Sequence, residues 1–391
     1  MCCARFWRIW IATTPMTDAE SEPDRLDGAP HPRHTAQLYG QVAAEAAFLS
    51  ACTSGRLPHA WLIAGPRGIG KATFAWRAAR FLLAAPADDG GLFGAPAPPT
   101  DLSVNPELPA ARHVTALTHP GIFLLRRTWD SERKKMRAQI TVDDMRKMKG
   151  FFTLSSADGG RRVVIIDDAD EMNPNAANAL LKVLEEPPSG AVLLLISHQP
   201  SRLLPTIRSR CRALRLAPLG ASDLDLALAA AGGAAGDPAA ATALAELAGG
   251  SVGAALQLTQ QDGLDLYAQI VGLMGTLPRL NRPRAIALSD AAGARNMETR
   301  FDLTVSLLDL FLARLARAGT TRTLPPEAAP GEAAIFPRLA PDLAAARLWA
   351  DCAQSLGTRA RRGKAVNLDP AALLMDMFLK IDETAGMLAP R

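Results

Sequence analysis

Gly65, Pro66, Arg67, Gly68, Ile69, Gly70, Lys71, Ala72 and Thr73 form the stretch that most limits what this chain can become. A short apolar run, Trp61 to Ala64, precedes it and reads as a buried strand. Lys71 to Leu83 follows and is helical by composition. Strand, glycine-rich loop and helix in this order are the context in which a G-x-x-x-x-G-K spacing makes a phosphate cradle. Glycines let backbone N–H groups turn inward, and the lysine reaches the outer phosphates. The position after Lys71 ordinarily carries a hydroxyl that holds Mg²⁺. Here it is Ala72. Thr73 has a hydroxyl, but one helical step, roughly 100°, further round. The loop is therefore complete for phosphates and incomplete for metal.

Further along, strand and helix signals alternate. Ile122 to Leu125 reads as a strand. Arg126 to Arg137 reads as a charged loop. Thr141 is expected to cap a helix through its hydroxyl, with Asp143 and Asp144 in the first turn. Val163 to Ile166 is β-branched and continuous, as in a strand buried on both faces of a parallel sheet. Asn175 to Glu186 reads as a helix stopped by Pro187-Pro188, and Val192 to Ile196 as another buried strand. A helix is also expected over Leu38 to Ser50, and a Pro- and Ala-rich loop or insertion over Ala84 to Pro109. The pattern predicts an α/β P-loop domain, a parallel sheet with helices on both faces.

From about Pro218 the signals become helical. Ser222 to Ala231 and Pro238 to Leu247 read as two short helical stretches, and Phe301 to Ala316 and Ala344 to Leu356 are the best helices. Turns are expected at Asn281 to Pro283 and Pro325 to Gly331. The expected organisation is a tail or extension over residues 1–32, the α/β domain over 33–217, a small helical lid over 218–261 and an all-α domain over 262–391. Within the first segment, Met16 is the expected start, and Thr17 to Pro32 reads as a polar, unstructured tail.

Five cysteines, none in a C-x-x-C pair, leave no readable zinc site and fit a reducing cytoplasm. His113 and His119 alone cannot make such a site. No stretch is long and apolar enough to span a bilayer. A net charge of only +4, with no cluster of base-reading aromatic residues, argues against a protein that binds nucleic acid on its own.

Asp167-Asp168 directly follows the strand Val163 to Ile166. An acid in the first place would hold a metal. The second place ordinarily carries a glutamate that activates water, and Asp168 is one methylene shorter. A misplacement of roughly 1 Å can cost about 10²-fold in rate.

Two further blocks carry a resemblance. Asn178 to Pro188 reads Asn-Ala-Leu-Leu-Lys-Val-Leu-Glu-Glu-Pro-Pro, and Pro205 to Cys211 reads Pro-Thr-Ile-Arg-Ser-Arg-Cys. Their order and spacing with the phosphate loop resemble the AAA+ clamp-loader family over about residues 34 to 260. The family has motor and non-motor subunits, and the chain resembles the non-motor branch. Ala72 and Asp168 depart from the motor pattern. So does Gly250-Ser251-Val252-Gly253, where motors have an arginine at the last place. Ser197-His198 stands at the sensor position after the fourth strand.

The resemblance implies a subunit of the bacterial DNA polymerase III holoenzyme. Its partners would be the gamma/tau and delta subunits, with the sliding clamp and primed DNA met through the assembled ring. The all-α domain would be the collar that holds the ring together. Arg210 of the Ser-Arg-Cys block would act in trans as an arginine finger on a neighbour's ATP. The bland alternative for Arg210 is a surface arginine paired locally. Lys71 either holds ATP or ADP without efficient turnover or is a relic. An active gamma/tau-type ATPase or a related AAA+ remodeller is the alternative reading of the whole chain.

Overall fold

A computed structural model describes residues 22, 25–26, 28–84, 99–130, 135–153, 160–234, 236–294 and 298–388. The expectations for Met1 to Thr14, for the start at Met16 and for most of the Pro-rich stretch from Ala84 to Pro109 fall outside these residues. The chain divides into two units, Met1–Pro218 and Leu219–Arg391.

The first unit is built on β1 (Ala60–Ala64), β2 (Ile122–Leu125), a two-residue pair β3 (Trp129–Asp130) and β4 (Lys135–Met136), then β5 (Arg162–Ile166), β6 (Ala191–Ser197) and β7 (Arg212–Arg215). Its helices are α1 (Val42–Thr53), α2 (Lys71–Ala84), α3 (Pro109–Thr115), α4 (Val142–Thr153), α5 (Pro174–Glu185) and α6 (Pro205–Arg210). Five strands form one parallel sheet in the order β2-β5-β6-β1-β7. This is the doubly wound P-loop arrangement expected from the sequence. β1 and β6 are buried along their whole length, as near-continuous apolar strands covered on both faces should be. One face packs Leu62, Val164, Ile166, Leu193 and Leu195 against Leu180, Leu184 and Ile207 of α5 and α6. Phe48 of α1 packs against Trp61 of β1 and Phe74 of α2, at 4.8 and 5.6 Å between ring centroids. At the β7 edge, Arg212 lies 5.1 Å over the Trp61 ring, and its charge blunts an otherwise exposed strand.

Register positions the site. Ala64 pairs with Ser197, while Leu62 and Ile166 both pair with Leu195. β1 and β6 therefore end level and β5 ends two residues earlier, and the residues beyond the three strands lie at one carboxyl-terminal edge, where open α/β sheets bind ligands.

Several local expectations are corrected. α1 begins at Val42, not Leu38, because Gly40 has a positive φ of 68° and Gln41 turns its amide to Ile69 O and Ala217 O. Arg126 to Arg137 is not all loop, since it contains the antiparallel pair β3–β4. α3 has Pro109 in its first turn, where a missing N–H costs nothing. The Thr141 hydroxyl is a donor rather than a cap acceptor: it bonds Asp144 Oδ2 at 2.8 Å, and the Thr141 N–H bonds the same oxygen at 3.0 Å. That is the carboxylate half of a capping box. The tail expected to reach Pro32 is packed before it ends, with Ala29 and His31 buried and Glu22 paired to Arg33 at 2.8 Å.

The second unit is helical throughout its described residues. It comprises α7 (Ala221–Ala230), α8 (Pro238–Ala248), α9 (Val252–Gln260), α10 (Gly263–Met274), α11 (Arg282–Gly293), α12 (Glu298–Thr321), α13 (Glu332–Leu339), α14 (Leu343–Ala365) and α15 (Pro370–Leu388). Asn281 to Pro283 is a helix start and not a turn. The Asn281 side chain accepts from Arg284 N at 3.2 Å, and Pro283 sits in the first turn. Its core carries a buried ionic knot. Arg314 of α12 donates to Glu332 Oε2 at 3.1 Å, to Glu246 Oε2 of α8 at 3.0 Å and to Pro326 O at 2.6 Å. Glu332 also accepts from Ala328 N at 2.7 Å and from the Tyr267 hydroxyl of α10. No helix among the described residues is long and apolar enough to cross a membrane.

Candidate nucleotide site

The loop between β1 and α2 adopts conformations that only glycine takes without strain. Gly65, Gly68 and Gly70 have φ of 153°, 72° and 98°. At Gly65 space forbids a side chain as well. A Cβ there would lie 2.6 Å from Ile69 Cδ1 and 2.7 Å from Leu216 O. Ile69 itself is buried and plugs the loop from within.

Lys71 is 3% exposed, and its ammonium turns back into its own loop. It donates to Gly65 O at 2.7 Å and to Pro66 O. Burial pulls its pKa down to about 8, against the opposing charges of Asp168, Asp167 and Asp170. Ala72 and Thr73, half-buried, follow as the second and third residues of α2.

Asp167 and Asp168 leave the end of β5. Asp167 Oδ1 accepts from Asp168 N at 3.0 Å. Asp168 takes a left-handed backbone, φ 55° and ψ 61°, uncommon for a residue with a side chain. Its carboxylate is taken up by two side chains of the protein: Oδ1 contacts His198 Nε2, and Oδ2 lies 3.5 Å from Arg67. Burial alone would raise the Asp168 pKa, but the His198 bond and the charges of His198, Arg67 and Arg127 hold it below the ordinary value. Ser197, fully buried, donates to Asp170 Oδ1 at 2.6 Å. Asp170 Oδ2 accepts the backbone N–H of His198 and Gln199, at 2.5 and 2.9 Å. Arg127 contacts Glu171 at 2.5 Å; burial and the Asp168 charge push the Glu171 carboxyl up.

The fold thus gathers the loop, Lys71, Asp167, Asp168 and Ser197 as the sequence predicts, and adds Asp170, Glu171, Arg127 and the His198 side chain. The adjacency of Asp170 and Glu171 to Asp167-Asp168 was the one signal of the first two. Arg210 stands apart from this group. It ends α6, where its Nη1 donates to Thr206 O at 3.1 Å and its Nη2 pairs with Glu185 Oε1 at 2.9 Å. In the second unit, Ser251 caps α9 by accepting from Ala254 N at 3.1 Å, and Gly253 presents no side chain in that first turn.

These residues fit a nucleotide's phosphates better than a catalytic metal. The cradle is formed and Lys71 lies in it. At the metal, Ala72 brings no oxygen and Asp168 is already tied to His198 and Arg67. Among the described residues no group of three or more His, Cys, Asp or Glu side chains could hold a metal ion.

Residues 40–220 match the family model described as DNA polymerase III, delta subunit. The chain is 46% identical over 155 residues to DNA polymerase III subunit delta' of Pseudomonas aeruginosa, covering 39% of this chain and 41% of that protein. It is 34% identical over 164 residues to subunit delta' of Bacillus subtilis, covering 42% and 44%. To subunit gamma/tau of Mycobacterium bovis it is 31% identical over 182 residues, covering 46% and 28%. The matched stretches thus span less than half of each relative's length. Among solved structures it is similar to a DNA polymerase III gamma subunit-related protein of Thermotoga maritima, 18% identical, covering 86% of this chain and 99% of that one with a TM-score of 0.39.

Proposed function

We propose that the chain serves as a delta'-type subunit of a DNA polymerase III clamp loader, a catalytically impaired AAA+ member that helps to place the sliding clamp on primed DNA. Its partners are gamma/tau-type motors and a delta-type subunit. It meets clamp and DNA through the assembly, in the cytoplasm. Residues 218–261 act as the lid and 262–391 as the collar that binds the ring. ATP or ADP is held without efficient turnover. Arg210 reaches the ATP of an adjoining motor.

The observation that carries this reading is the state of the site's own chemistry. The phosphate lysine is bound to Gly65 O and Pro66 O. The hydroxyl for the metal is replaced by Ala72. The acid that would activate water, Asp168, is held by His198 and Arg67. The family match of residues 40–220 supplies the setting. A planar guanidinium at Arg210 suits γ-phosphate charge. The alternative reading, an active gamma/tau-type ATPase, fits Lys71 and Asp167 but not Ala72 and Asp168.

The test is ATP turnover by the purified chain, alone and after mixing with the gamma/tau and delta subunits of the same organism on clamp and primed DNA. No turnover alone, and turnover stimulated in the mixture, is expected. Steady hydrolysis by the isolated chain, abolished with Lys71→Ala, would make it a motor.

A further inference from the structure

We infer that Glu185 is a positioning residue for Arg210, holding its guanidinium ordered at the surface with N–H groups left over for an anion on a neighbouring chain. This rests on the trans-acting role proposed above. The two side chains end adjacent helices, Glu185 as the last residue of α5 and Arg210 as the last of α6. The bases of both helices are fixed. Ile207 of α6 and Leu184 of α5, 0% and 2% exposed, belong to the same apolar cluster under the sheet. The tips are not buried: the Arg210 and Glu185 side chains are 37% and 50% exposed.

A guanidinium carries five N–H donors in a fixed plane. One Nη1 N–H donates to Thr206 O at 3.1 Å, and Nη2 forms an ion pair with Glu185 Oε1 at 2.9 Å. At least three N–H groups are left for an incoming phosphate, which can then be bound without breaking either tether. Arginine loses much rotamer freedom when it is immobilised, and a side chain already tethered has lost part of it before the anion arrives. With Glu185 removed, only the Thr206 carbonyl would hold the guanidinium. An exposed pair contributes little to folding, so its loss leaves the chain folded.

The experiment uses the full chain assembled with its own motor and delta-type subunits, with clamp and primed DNA present. ATP turnover is compared for wild type, Arg210→Ala, Glu185→Ala and Glu185→Gln. Glu185→Ala is expected to produce at least half the loss in kcat that Arg210→Ala produces, with KM for ATP unchanged. Glu185→Gln, whose amide oxygen can accept in the same place, is expected to keep the greater part of the rate. Equal rates in wild type and Glu185→Ala, a higher rate in Glu185→Ala, or equal losses in the two Glu185 variants would overturn the inference. If Arg210→Ala itself changes nothing, the trans-acting role fails, and the positioning role fails with it.

Discussion

Replacing Arg210 by alanine is expected to slow hydrolysis at the adjoining motor site by about 10³-fold or more, the usual contribution of an arginine finger. In the assembled complex this reads as loss of that site's share of ATP turnover, with the chain still incorporated. The reason is local. Arg210 makes one carbonyl bond and one ion pair at an exposed helix end, and neither holds the fold together. Removing an exposed pair costs about 1 kcal/mol or less. Thermal unfolding of Arg210→Ala should therefore match wild type while turnover does not. Cys211 beside it is a packing residue, its thiol pushed up to about 12 by burial and so not ionised near neutral pH. A fall in unfolding temperature that accompanied the loss of turnover would assign Arg210 a structural role instead.

The second large effect is expected in the helical unit. Arg314 and Glu332 are 2% and 1% exposed, and each is bonded to several partners. Burial works against the Arg314 charge, but the Glu332 carboxylate more than offsets it, so its pKa is raised. Breaking a buried pair from one side leaves an uncompensated charge and costs about 3–5 kcal/mol. Arg314→Ala or Glu332→Ala should each lower the unfolding midpoint of the second unit, by roughly 6–20 °C at the sensitivity usual for a unit of this size. Because the two act as one knot, the double variant should cost less than the sum of the singles. Strict additivity in that cycle would mean that the two residues do not act on each other.

Much of the first unit was legible because its signals are local. Val163 to Ile166 can hardly be anything but a buried strand, and Gly65 to Lys71 fixes loop and helix by spacing alone. Pro187-Pro188 ends α5 where the chain says it must. The errors arose where distant residues decide or where one local pattern admits two readings. Gln41 gives its amide to Ile69 and Ala217, and so delays the start of α1. The Thr141 hydroxyl turns to Asp144 in place of the backbone. Asn281 to Pro283 looked like a turn, since Asn and Pro suit turns and helix starts equally. The same holds for the site. Sequence placed Lys71, Asp167, Asp168 and Ser197 together, but not the turn of Lys71 onto its own loop. Nor did it show His198 on Asp168, a contact made only when β6 lies beside β5. The pairing of Glu185 with Arg210 is likewise invisible until α5 and α6 pack.

The central claim is that ATP is turned over beside this chain and not within it. The most direct measurement is the ATPase rate of the assembled complex with Lys71→Ala in this chain alone. The account predicts a rate equal to wild type, because no productive site depends on that lysine. A rate reduced by one site's share, with the complex intact, would contradict it and make Lys71 part of a working ATPase.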